Sequence, residues 1–276
     1  MRRVLNRPGP TNWLNIAARL WLAKQLSPRV GHPTLDTVAL DSLAERLERG
    51  VAQSVPPPTL ASSLRMRAIR EGLNGALLDA FAEYPDAELR TVTVIYAGWG
   101  LTPAELDGTN AAKLKAQFRQ HLNRAGVFKV PGPLFAVLHG EFEPSSGRYQ
   151  LHFHLVTTAA KAAALQEGLR AKTIKGYTVT PTGAAPVRRS RIGDRVAQLS
   201  YLAKSYWPSR PVIQIGGKLK RVRGPRRIPE PYATQVLLWL DRQKFTDLVV
   251  IHDCWSRRKG GSAAMKRLYL FVKGVS

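Results

Sequence analysis

The stretch LFAVLHGEFEPSSGRYQLHFHLV, residues 134 to 156, decides how the chain is read. Residues 134–143 and 149–156 each mix β-branched, aromatic and alternating polar residues, and the PSSG at 144–147 between them is a turn signal. The pattern predicts a β-hairpin. Side chains of a strand alternate faces, so His152 and His154 point one way and Phe153 the other, while His139, Glu141 and Glu143 share a face. With a four-residue turn at 144–147, Glu143 pairs with Arg148, Glu141 with Gln150 and His139 with His152. Adjacent strands lie about 5 Å apart, so the acids and imidazoles converge on one side of the sheet. A one-residue slip would scatter them. Two imidazoles plus a carboxylate suit a divalent ion whose remaining positions take water or a phosphate oxygen. The competing interpretation is the wet face of a half-buried hairpin.

At 276 residues the chain has room for one large domain or two modest ones. A single cysteine, Cys254, excludes an intrachain disulfide framework and any cysteine-rich zinc module, and fits a reducing compartment. No apolar run approaches the roughly 18 residues that span a bilayer, and the opening MRRVLNRPGPTNW lacks an apolar signal region. The expectation is a soluble, cytoplasmic protein with no membrane partner. Net charge is +23, which points to a polyanion. Residues 1–88 hold 11 Lys/Arg against 9 Asp/Glu, so +21 of that charge falls on 89–276.

Amphipathic spacing predicts helices over 12–26, 36–53 and 59–84, the last two separated by Pro56–Pro58. Residues 1–87 therefore read as a helical N-terminal extension and 88–276 as the main domain. A β-branched run at 89–99 predicts a buried strand, and TPAE at 102–105 resembles a capping box. Helices over 110–126 and 159–172, a strand at 176–182, and a helix at 192–207 carrying Tyr201 and Lys204 follow. Between 208 and 231, Lys218, Lys220, Arg221, Arg223, Arg226 and Arg227 lie among Gly and Pro, a basic loop or hairpin suited to a phosphate backbone. A helix at 232–244 and strands at 247–255 and 265–274 complete the chain. His252, Asp253 and Cys254 are contiguous on one short strand and cannot all face one ion, so no chemistry is assigned to them. The order of elements predicts an α+β fold, a central antiparallel sheet flanked by helices. No Gly-rich phosphate loop occurs.

A strand, then H-hydrophobic-H on a later strand (His152, Phe153, His154), then Y-x-x-K on a downstream helix (Tyr201 to Lys204) resembles the HUH endonuclease superfamily, in particular single-tyrosine rolling-circle replication initiators. The likeness covers about 89–207, with the two short motifs about 47 residues apart. The resemblance implies an antiparallel sheet holding Mg²⁺ or Mn²⁺ through both histidines and a third polar side chain. Glu141 is favoured for that place, with Glu143 and His139 as alternates. It further implies that Tyr201 attacks a phosphate of single-stranded origin DNA, leaving a 5′-phosphotyrosine and a free 3′-hydroxyl, with Lys204 assisting and a host replication helicase as a further partner. Tyr206 stands five positions after Tyr201, not the four of two-tyrosine members, and reads as packing or stacking. A transposase or a mobilisation relaxase would use the same site, although relaxases more often place the tyrosine ahead of the histidines. A noncatalytic basic nucleic-acid-binding protein is the rival from another class. Two-histidine phosphodiesterases need a pair of H-x-Ser/Thr motifs, and no such pair occurs.

Overall fold

A computed structural model describes residues 33–170, 174–180, 182–204, 207–222, 224, 226–254 and 262–275, together with Ala23 and Gln25. Apart from Ala23 and Gln25, the expected helix at 12–26 lies outside the described residues, as do Arg223 and Tyr206. Helix α1 (Thr37–Ala52) is capped by Asp36, whose side chain accepts from the amides of Val38 and Ala39. Helix α2 (Ser63–Ala80) is capped by Ser62, after the proline break. Strand β1 (Leu89–Leu101) leads into a short helix α3 (Pro103–Gly108), where Thr102 and Glu105 form the capping box. Helix α4 (Ala111–Arg124), strands β2 (Leu134–Glu143) and β3 (Arg148–Thr158), and helix α5 (Ala159–Arg170) follow. Next come strand β4 (Val187–Arg191), helix α6 (Arg195–Leu202), and the paired strands β5 (Val212–Ile215) and β6 (Lys218–Arg221). Helices α7 (Tyr232–Asp241) and α8 (Phe245–Leu248), strand β7 (Val249–His252) and helix α9 (Ala263–Gly274) end the chain.

The fold is α+β. Five strands form an antiparallel sheet in the order β4-β1-β3-β2-β7. The β2–β3 register is the expected one: Glu143 pairs with Arg148, Glu141 with Gln150 and His139 with His152. On the face opposite the histidines, Phe118 of α4 stacks on Phe153 with ring centroids 4.1 Å apart, and Trp99 packs edge-on against both. Met66, Ile69, Leu73, Leu77 and Ala80 of α2 belong to the same core as the sheet, so part of the N-terminal segment helps to bury it. Helix α9 approaches α2 at Gly72, where a Cβ would stand 2.5 Å from the Phe271 ring. Helix α1 forms a smaller cluster through Leu40, Leu43 and Leu47, and Arg46 grips Asp241 of α7 at 3.0 and 2.6 Å. Among the described residues no helix is long and apolar enough to cross a membrane.

Two expected elements are corrected. Residues 176–180 and 182 lie outside any strand, because local bonds compete with a ladder: Gly176 takes φ +96°, and the Thr180 hydroxyl accepts from the Ala184 amide. The place beside β1 goes to Val187–Arg191, a short edge strand rich in arginine. Residues 265–274 are helical. Their buried positions, Met265, Leu268 and Val272, recur at helical spacing behind a Ser262 cap, and this outweighs their β-forming composition.

Candidate active site

The histidine face of the sheet opens on a cleft of about 720 Å³ lined by Thr91, Thr93, Glu141, His152, His154, Arg188, Tyr201, Arg210 and Arg221, among others. Register builds its floor. His154 pairs with Thr93 of β1, which pairs in turn with Arg188 of β4, so one row crosses three strands with every side chain on the cleft side.

The two imidazoles of the H-x-H motif face each other, with Nε2 atoms 3.0 Å apart. Each ring is held from behind. His152 Nδ1 lies 3.2 Å from the Gln150 carbonyl and must donate to it, which leaves its Nε2 with a lone pair. His154 Nδ1 lies 3.0 Å from Thr93 Oγ1. If Thr93 accepts there, both Nε2 atoms present lone pairs to the same point, an arrangement that asks for a cation between them. If Thr93 donates, His154 donates in turn to His152. Burial holds both rings below the ordinary histidine range and therefore neutral, the state that ligates metal. Metal–imidazole bonds of about 2.1 Å at right angles place two nitrogens about 3 Å apart, so the pair fits two neighbouring positions around one ion.

The remaining acidic and imidazole groups do not join them. Among the described residues no three His, Cys, Asp or Glu side chains are grouped as they would be around an ion. His139 Nε2 lies 3.0 Å from the Leu202 carbonyl and donates to it, so this ring anchors the end of α6. Its pKa is pushed far down by burial and then by the neighbouring His152. Glu143 caps the hairpin turn, accepting from the Ser145 and Ser146 amides at 2.8 and 2.7 Å. Burial works against its charge, but these serine bonds hold its carboxyl below the usual range. Glu141, largely buried on the cleft side, forms an ion pair with Arg221 at the end of β6.

Helix α6 brings Tyr201 to the pair. Asp194 caps its start, and Gln198 ties it to the sheet through the Arg191 carbonyl at 3.0 Å. Arg195 clamps it to Asp86 at 2.6 Å and to the carbonyls of Phe81 and Tyr84 beyond α2. The Tyr201 ring then stands 4.9 Å from the His154 ring, centre to centre, and 6.5 Å from that of His139. It is 43 % exposed, within reach of a large substrate. Lys204 lies beyond the helix end, past Ala203, but turns back so that Nζ sits 5.3 Å from the centre of the Tyr201 ring. Burial and then the charge of Arg210 bring its pKa down to about 8.

The basic segment is a hairpin. Gly216 and Gly217, at φ +56° and +73°, make the tight two-residue connection that mirror-image turns require. Its base is pinned to the end of β2 by bonds between Phe142 and the backbone of Pro208 and Arg210, and by Ser145 Oγ on the Val212 carbonyl. Lys218 and Lys220 point outward and Arg221 inward; Arg226 and Arg227 are exposed beyond the ribbon. Sequence reasoning missed Arg188 and Arg210. For Arg188 the signal was available in alternation along VRRSR, once that run was paired with β1. Arg210 carries no such signal. Compared with protein-family models, curated proteins and solved structures, the chain matches none.

Proposed function

We propose that the protein cuts and rejoins single-stranded DNA through a tyrosine-linked intermediate, as an HUH-type initiator of rolling-circle replication would. The observation that carries this reading is the delivery of Tyr201 by a separate, clamped helix to the facing His152–His154 pair, in a cleft edged with arginine. His152 and His154 would hold Mn²⁺ or Mg²⁺, with imidazole favouring the softer manganese. Such an ion supplies Lewis-acid stabilisation of the charge that builds on the attacked phosphate, worth several kcal/mol.

The chain's own groups do the rest. Tyr201 Oη forms a bond to phosphorus as the bond to the 3′ oxygen breaks. The phenol proton leaves to solvent, and the departing oxygen gains one. One phosphoester replaces another, so no nucleotide cofactor is needed. A phenol ordinarily titrates near pH 10, and Lys204 beside the ring favours its anion. Arg188, Arg210 and the lysines of the β5–β6 ribbon hold the strand by its phosphates, with salt-dependent affinity. Such an enzyme would work on a replicon in the cytoplasm, beside a host replication helicase.

The test is incubation with Mn²⁺ and end-labelled single strands carrying candidate origins, followed by denaturing electrophoresis. A protein-linked label is expected with Mn²⁺ and absent with EDTA. Tyr201→Phe should lose the adduct and keep DNA binding. An adduct of undiminished yield in that variant would overturn the assignment.

A further inference from the structure

We propose that Arg221 is a phosphate-responsive latch on Glu141: a DNA phosphate entering the cleft takes the guanidinium, and the freed carboxylate joins His152 and His154 as the third donor to the cation. This rests on the metal-site reading above and adds a coupling between DNA and metal that the reading does not require.

Three observations carry it. The first is the placement of Glu141. It shares the cleft face of β2 with His139, two cross-strand pairs along from His152, and its negative charge is felt at His152. The carboxylate is thus near the pair but engaged elsewhere, by Arg221.

The second is the state of the guanidinium. Its Nη1 meets Glu141, while its Nε is buried and has no acceptor. A buried donor left unmatched is costly, and the planar guanidinium fork suits the two oxygens of a phosphate better than a single carboxylate contact. Arg210 lines the same cleft and brings a second cation, with its charge bearing on Lys204. An anion arriving there meets two guanidinium groups, one of them half-used.

The third is position along the chain. Arg221 ends β6, the strand that also carries the exposed Lys218 and Lys220. A strand of DNA held by the outer lysines is led inward to Arg221. Exchange of partners at Arg221 then reports DNA to the metal site. By linkage, DNA must tighten the cation by the same factor as the cation tightens DNA.

The experiment measures Mn²⁺ affinity by the paramagnetic resonance signal of the free ion. It uses the full chain carrying Tyr201→Phe, so that DNA is not consumed, with and without single-stranded oligothymidine. His152→Ala in the same background corrects for ions held by the DNA itself. In the parent, oligothymidine should tighten Mn²⁺ about tenfold. Arg221→Gln should bind about that tightly without DNA and gain less than about twofold from it. Glu141→Gln should remain weak in both conditions. Arg221→Lys keeps a cation for Glu141 but lacks the fork, so its gain from DNA should fall below about threefold; it serves if Arg221→Gln does not fold. The latch is overturned if Arg221→Gln binds Mn²⁺ no better than the parent without DNA, or if Arg221→Lys gains as much from DNA as the parent does. Mn²⁺ binding unchanged by His152→Ala removes the metal-site reading itself, a result distinct from failure of the latch alone.

Discussion

Two polar clusters flank the same sheet, and both contain histidine and an acid. In the cleft, His152 and His154 turn their Nε2 atoms toward each other beside an exposed tyrosine. At the outer end of β2, His252, Asp253 and Cys254 lie with Lys161 in a network of backbone bonds. Lys161 Nζ binds the Gly132 carbonyl and lies 3.1 Å from His252 Nδ1, and Asp253 accepts from the Gly132 amide at 3.0 Å. Cys254 Sγ sits 3.6 Å from the Leu134 carbonyl, and burial pushes its thiol up to about 12. The His252 ring stacks on Phe128 at 4.1 Å. Residue types alone do not separate the two clusters. What separates them is what the lone pairs and protons are already doing: at the outer cluster they join loops, and in the cleft they face a space large enough for a substrate.

That contrast makes opposite predictions for the two places. The largest effect belongs to the cleft: His152→Ala should lower Mn²⁺-dependent adduct formation by roughly 100-fold or more while the denaturation midpoint hardly moves. A variant that unfolds without losing adduct per folded molecule would reverse the roles of the two clusters. At the outer end, Lys161→Met keeps the length of the side chain but strands the Gly132 carbonyl. Urea unfolding should show a loss of about 1–3 kcal/mol, with adduct yield per folded molecule unchanged.

A third prediction uses pH. His139, His152 and His154 all have native pKa values depressed by burial, so the unfolded chain takes up protons first as the medium is acidified. Stability of the metal-free protein should be full above about pH 7 and decline as pH falls below about 6.5, by about 1.4 kcal/mol per pH unit for each proton taken up. His139→Gln should make that decline shallower by about one proton; an unchanged slope would mean that this ring does not stay neutral in the native state. The smallest effect is expected at Cys254→Ala. It should change adduct yield by less than about twofold and stability by about 1 kcal/mol, since the thiol is packed and weakly bonded.

How much of this was legible beforehand depended on whether a residue's neighbours were local. The hairpin register followed from the PSSG turn and strict alternation, both contained within about two dozen residues. The motif order likewise singled out His152, His154 and Tyr201. The role of His139 as an anchor for Leu202, and the pairing of Glu141 with Arg221, were hidden because each joins segments more than sixty residues apart. Strand β4 was missed for a different reason. An edge strand carries charge where an inner one carries branched apolar side chains, so VRRSR resembles a loop until its partner is known. The final helix was misread because MKRLYLFVKG has strand-like composition, although its buried residues keep a helical spacing.

The central claim is that Tyr201 is the nucleophile in a DNA-cutting and rejoining reaction at the imidazole pair. Its most direct test is mass spectrometry of the peptide map after reaction with Mn²⁺ and a cleavable single strand, followed by nuclease trimming. The account predicts a nucleotide mass on the peptide that contains Tyr201, lost with EDTA and in His152→Ala. A nucleotide mass on any other residue, with the Tyr201 peptide unmodified, would contradict it.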